Sequence, residues 1–335
     1  MPPGVSKRQL IFALGVLGLA AGAIAAGKLL LSNGDESAKP DGGSTFVTVS
    51  PSSDIAVLDL ATGRTRLVTR AGGRYLAVAG PTWSPDGRIT YARQTCPHCL
   101  FRLAVVGPDE RPTRLLPRWR KNTNEPTWSP DGRRLVVTTS HDEERSLALL
   151  DLQKGRGRTL EAEGGEEEEE VESPNHPAFS PDGRTIAFEA ETPGERTHIF
   201  LLDLVTRELR EIENDADHNG YPAFSPSGRQ IAFSQTDARF AWDLCTVRLD
   251  GSHQVCLMRS PANDVEPSWS PNARSIVFAS DRDDPRRAIR ALYVIRPDGS
   301  GLRRLTEGFD DGAPAFSPDG TQVAFVRRQI LRVSR

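Results

Sequence analysis

Six segments of this chain are near-copies of one another: PTWSPDGRITYAR, PTWSPDGRRLVVT, PAFSPDGRTIAFE, PAFSPSGRQIAFS, PSWSPNARSIVFA and PAFSPDGTQVAFV. Their first prolines are Pro81, Pro126, Pro177, Pro222, Pro267 and Pro314, spaced by 45, 51, 45, 45 and 47 residues. A period in the forties marks a stack of identical supersecondary units, each filled by two helices or four strands. The residues decide for strands. Each copy runs from a short apolar stretch into Ser-Pro-Asp-Gly, where Pro fits the first central position of a type I turn, Asp the second, and Gly the positive φ that follows. A second strand comes at once (TIAFEA, QIAFSQ), then a third (LALLDL, IFLLDL), a turn such as DGS, and a fourth (LREIE, QVCLM).

Four antiparallel strands per repeat make one blade, and blades around a shared axis make a propeller. No capping repeat of the kind an open solenoid needs is visible. Asp54–Thr69 reads as third and fourth strands with no first motif before them, while the last copy supplies only first and second strands. Pairing the two ends completes a blade and leaves no open edge. The expected fold is therefore all-β, a six-bladed β-propeller of four-stranded antiparallel blades; TFVTVS at 45–50 leaves seven as the alternative. Two copies depart from the motif: Ser227 replaces Asp, and Ala273 stands where Gly is expected. Ala at positive φ costs about 1 kcal/mol, so the turn at Ala273 is expected to be of another type.

These W/F-S-P-D-G copies resemble the TolB-type propeller repeat, over residues 46–335. The resemblance implies an interaction platform in the cell envelope with no catalysis of its own, although proteins of that family carry an additional amino-terminal globular domain. Propellers of similar repeat also accompany serine hydrolases, which need a G-x-S-x-G turn; none is found here. The repeat also resembles that of oligogalacturonate lyases, so a propeller-based enzyme with a metal or polar site at the channel mouth is the alternative reading.

Ahead of the repeats, Lys7 and Arg8 precede an uncharged run from Leu10 to Gly27, extended by Leu29–Leu31. Residues 1–31 read as a hydrophobic helix, a signal anchor or a cleaved signal peptide, with the anchor preferred and the body outside the cytoplasm. Residues 32–45 read as a flexible linker. This places the propeller on the extracytoplasmic side of the cell membrane, or secreted after cleavage. A net charge of −3 argues against nucleic acid as a partner; a protein or peptide partner and a monomeric chain are expected.

The residue before each motif proline is expected in a loop at one mouth of the channel: Gly80, Glu125, His176, Tyr221, Glu266 and Ala313; three positions earlier come Ala77, Asn122, Ser173, His218, Asn263 and Asp310. From these, Glu125, His176, His218, Tyr221, Asn263, Glu266 and Asp310 are the candidate ligand- or partner-binding residues. Their spacing singles out no metal ion and no cofactor is expected. Cys96 and Cys99, in TCPHCLF, resemble a disulfide oxidoreductase motif but fall at a hairpin tip without a helix, which favours a small disulfide staple. Cys245 and Cys256 flank TVRLDGSHQV symmetrically and are expected to face each other across a hairpin. Two local pairs agree with an oxidising compartment. Glu161–Glu172, EAEGGEEEEEVE, reads as an acidic loop on the mouth side.

Overall fold

The computed structural model describes residues 45–334, apart from 71–75, 108–111, 115–121, 142–143, 162–170, 193, 195, 214–215 and 237–240. The expected hydrophobic helix, the linker up to residue 44 and most of the acidic loop lie outside the described residues. Among the described residues no helix is long and apolar enough to cross a membrane.

Six four-stranded antiparallel sheets are present. Their innermost strands are β3 (Ala77–Trp83), β7 (Asn122–Trp128), β11 (Glu172–Phe179), β15 (Asn219–Phe224), β19 (Asp264–Trp269) and β23 (Phe309–Phe316). The second strands are β4 (Ile89–Gln94), β8 (Arg134–His141), β12 (Thr185–Thr192), β16 (Gln230–Thr236), β20 (Ile276–Ser280) and β24 (Gln322–Ser334). Third come β5 (Arg102–Val106), β9 (Glu144–Asp151), β13 (Arg196–Asp203), β17 (Trp242–Arg248), β21 (Ala291–Ile295) and, from the far end of the chain, β1 (Thr45–Asp59). Short outer strands finish each sheet, the last blade using β2 (Thr65–Leu67) and the fourth β18 (Val255–Cys256). The last blade has the order β2-β1-β24-β23, so both chain ends share it. TFVTVS starts no seventh blade: it is the beginning of β1, whose Thr45–Val49 pairs with Ile330–Ser334 of β24.

The hydrophobic core is six wedges, each between neighbouring blades. One wedge joins Val136 and Leu149 of the second blade to Ile186 and Phe200 of the third. Another joins Ile55 and Ala324 of the closing blade to Tyr91 and Val106 of the first, which makes the ring continuous. Two residues after the first Ile or Val of five second strands comes a buried aromatic: Tyr91, Phe188, Phe233, Phe278 and Phe325. A side chain of that size buried from water is worth about 1.5–3 kcal/mol, and it recurs because each blade meets its neighbour in the same way.

The repeated turn is built as the motif implies. The N–H of Gly87, Gly132, Gly183, Gly228 and Gly320 donates to the carbonyl of the Ser three residues earlier, each at 2.9 Å. The Ser hydroxyl donates to the motif Asp, as in Ser180–Asp182 at 2.5 Å. The expectation for Ala273 is corrected. It takes φ +58° and its N–H reaches the Ser270 carbonyl at 2.9 Å, the geometry of the glycine copies. The surrounding hydrogen bonds (Ser275 N–H to Ser270 Oγ, 2.9 Å) hold the turn against the cost of the Cβ.

Candidate functional site: the channel and its bulged inner strands

All six residues that precede a motif proline adopt positive φ: Gly80, Glu125, His176, Tyr221, Glu266 and Ala313, between 46° and 60°. They do not lie in loops, as the sequence suggested, but inside the innermost strands. In each strand the register shifts across this residue and its proline, as between Asn124 and Thr127 or Gly220 and Ala223. The cause is chemical. Proline has no N–H for the ladder, and a bulge sets it aside while re-aiming the side chain before it. Left-handed backbone costs a non-glycine residue about 1–2 kcal/mol, and the neighbouring blades supply compensation. The N–H of His176 donates to Glu125 Oε2 at 2.9 Å, that of Tyr221 to Glu189 Oε2 at 2.8 Å, and that of Ala313 to Glu266 Oε2 at 2.6 Å. Where Gly80 stands, a Cβ would come within 2.9 Å of the Glu125 backbone, so only glycine fits the approach.

A channel of about 1230 Å³ is lined by residues of every blade, including Glu125, His176, Tyr221 and Glu266 from the expected set. Across the second and third blades, His176 is gripped on both ring nitrogens. Nε2 lies 3.0 Å from Glu125 Oε1 and Nδ1 2.7 Å from Glu189 Oε1. Burial alone would push the imidazole pKa down, but the two carboxylates outweigh it and hold it well above the ordinary value. Glu125 mirrors this: burial pushes it up, His176 overrides, and it ends below the usual carboxylate value. The Thr138 hydroxyl donates to Glu125 Oε2 (3.2 Å). The Asn175 amide, in the orientation that satisfies its neighbours, donates to the same oxygen (2.6 Å) and accepts from Arg145 (3.2 Å). The Tyr221 ring sits 4.3 Å from the imidazole and 6.1 Å from Trp242. Burial, then Glu189 and Glu266, raise its phenol pKa, so it stays protonated.

The opposite wall carries a second charge cluster. Arg290 lies 3.4 Å from Glu266 and 3.6 Å from Asp310, and Arg328 lies 2.5 Å from Asp310. Behind them Arg327 holds Asp311 through two bonds of 2.8 Å.

His218, Asn263 and Asp310 occupy a different place. None lines the channel. Asp310 accepts the Arg290 N–H (2.9 Å), and Asn263 accepts the Trp242 N–H (3.4 Å) while donating to Asp281 (2.8 Å). Asn122, at the equivalent position, accepts the Phe101 N–H (2.7 Å). These three side chains latch their innermost strands to the start of the third strand in the preceding blade. His218 does so through its backbone, in a bridge with Thr197. Sequence reasoning missed Glu189, Arg145, Arg290, Arg328 and Trp242. Glu189 had a signal: at its position in the second strands the other blades carry Ala92, Thr138, Ser234, Ala279 and Val326.

Both cysteine pairs are bonded, Cys96 to Cys99 and Cys245 to Cys256, and the latter are register partners in β17 and β18. Among the described residues no group of three or more His, Cys, Asp or Glu is arranged to hold a metal ion.

A six-bladed ring of four-stranded antiparallel sheets defines a class, and known proteins match this chain in sequence or in fold. Residues 173–329 match the TolB beta propeller domain. The Tol-Pal system protein TolB of Gluconobacter oxydans is 31% identical over 245 residues, 72% of this chain and 51% of that protein. The structure of a putative TolB from Agrobacterium tumefaciens superposes with a TM-score of 0.68 at 21% identity, covering 83% of this chain and 98% of the other. An oligogalacturonate lyase in complex with manganese superposes at 0.53 with 15% identity, covering 83% and 77%, a likeness of fold alone. The chain is a TolB-like β-propeller protein. It spans about half the length of the Gluconobacter relative, 51%.

Proposed function

We propose that the protein is a binding scaffold of the cell envelope, held at the membrane by residues 1–31, whose channel receives a segment of a protein or peptide partner without chemistry of its own. One observation carries this. The titratable groups of the wall are spent on one another and on backbone N–H groups, while hydrogen-bonding capacity is left over. Asn124 Oδ1 and Arg328 Nε, both on residues lining the channel, are buried without a partner. An unmet acceptor and an unmet donor suit a peptide backbone, which offers both groups once the two side chains turn into the channel, and an unmet buried group costs about 1–3 kcal/mol until a partner arrives. The Tol-Pal relative and the two disulfides support the compartment.

The test is capture from envelope extract by the immobilised full chain, comparing wild type with Asn124→Leu and Arg328→Met, each first checked for an unchanged melting transition. A loss of at least about tenfold in the recovered partner is expected, the scale of one charge-assisted hydrogen bond. Equal recovery by both folded variants rejects the reading. One equivalent of tightly bound manganese or zinc in the purified protein would favour the lyase-like alternative instead.

A further inference from the structure

The Cys96–Cys99 bond has features that a staple does not need. It closes a loop of sequence separation 3, against 11 for Cys245–Cys256, and a shorter loop restrains the unfolded chain less. Its hairpin is already in register up to the pair Arg93–Arg102, and the tip is further tied by Gln94 Nε2 donating to the Cys99 carbonyl at 2.6 Å. The bond therefore holds little that is not held otherwise. It is also reachable: both cysteines are half-buried, Pro97 and His98 are exposed, and Leu100 is 46% exposed. Cys245, by contrast, is fully buried.

The charge carried by the hairpin itself is of one sign. From Arg93 to Arg102 the hairpin contains His98 and the two arginines but no Asp or Glu. Positive neighbours stabilise the thiolate, which is the form that attacks and the form that leaves in disulfide exchange. The position matters as well. Gln94 lies opposite Ala77, where the innermost strand begins, and Phe101, next to the tip, lines the channel. The disulfide thus sits two residues from a side chain that lines the channel.

We infer that Cys96–Cys99 is a thiol–disulfide exchange site on the channel rim, taking protein or peptide dithiols as its substrate. This goes beyond the binding role and does not depend on it. A thiolate of the dithiol attacks one sulfur of the pair. The Cys96–Cys99 bond breaks, and the other cysteine leaves as a thiolate and takes up a proton. The second thiol of the substrate then attacks the mixed disulfide, forms the substrate's own disulfide and releases the remaining cysteine. The substrate loses two electrons and the cysteine pair gains them, so each chain oxidises one dithiol.

The probe is a fluorescent peptide with two cysteines, given to the full chain. The oxidised protein should convert up to one equivalent of reduced peptide, leaving Cys96 and Cys99 open to alkylation and Cys245–Cys256 intact. Cys99→Ser, given a peptide whose single cysteine is disulfide-linked to a small aromatic thiol, should release that thiolate and accumulate a covalent adduct through Cys96. The double variant Cys96→Ser/Cys99→Ser should melt within about 3 °C of wild type. A fall of about 10 °C in the double variant would show a structural staple. Absence of the adduct in folded Cys99→Ser, or reduction of both disulfides at the same rate, equally overturns the assignment.

Discussion

Two residues show what the repeat tolerates and what it forgoes. Ala273 holds φ +58° in a turn whose other five copies all use glycine. Ala273→Gly should stabilise the protein by about 0.5–1 kcal/mol, since release from left-handed strain exceeds the added freedom of the unfolded chain. The denaturant midpoint measures it, and a lower midpoint would contradict the strain argument. Trp269 is the second case. Trp128 Nε1 donates to Thr90 Oγ1 of the preceding blade at 3.0 Å, and Trp83 Nε1 to the Ala315 carbonyl at 3.1 Å. Trp269 Nε1 is buried without a partner, and the residue equivalent to Thr90 in its preceding blade is Ala232, in the same core wedge. Ala232→Ser restores an acceptor with one added atom and should raise stability by about 1 kcal/mol. Unchanged stability, with the indole resonance of Trp269 unmoved in NMR, would mean the hydroxyl cannot reach it.

Between elements, the decisive contact is the His176 bridge, which ties β7, β11 and β12 together through Glu125 and Glu189. Its pH dependence has a definite sign. The raised His176 pKa makes its contribution complete below the ordinary 6.5 and lost as pH rises through the higher folded-state value. The lowered Glu125 pKa makes its contribution complete above the ordinary 4.5 and lost as pH falls through the lower folded-state value. The bridge is therefore strongest between these limits. His176→Gln should cost about 3 kcal/mol near pH 6, the scale for breaking a buried pair, and progressively less as the solution becomes alkaline. A cost independent of pH would show that packing against Tyr221, not charge, is what the histidine supplies. Little of this bridge could be read from the chain. The residue before a proline normally reads as extended, so nothing in NHPAF or NGYPAF announces a left-handed residue inside a strand. Polar residues four before the proline looked like ligands because latching and binding use the same side chains. The turns, by contrast, were legible, because Ser-Pro-Asp-Gly satisfies its own hydrogen bonds locally.

At the scale of the molecule, the blade count and the pairing of the ends were legible because a repeat that starts with third and fourth strands and stops after first and second has one economical solution. That solution makes a testable demand. β1 and β24 pair over Thr45–Asp59 and Gln322–Ser334, and their wedge with the first blade buries Ile55, Val57 and Ala324. Ring integrity thus rests on a blade sewn from both termini, whereas every other junction between blades is crossed by continuous chain. A circular permutant that joins Ser334 to Thr45 through a flexible linker and opens the chain at 214–215, between the third and fourth blades, keeps all six core wedges. It places the ends at a junction where no blade is shared. With the covalent crossing gone, that junction rests on its apolar wedge of Ile199, Ile212, Ile231 and Phe233 and on the Tyr221–Glu189 and Thr197–His218 contacts, and whenever it opens, the strand edges it uncovers invite pairing with other chains. The permutant should fold to the same sheet content, unfold at a lower temperature than the parent, and associate as concentration rises in size-exclusion chromatography. Equal melting temperature and a monomer at all concentrations would mean that the wedges alone close the ring and that the shared blade is dispensable for stability.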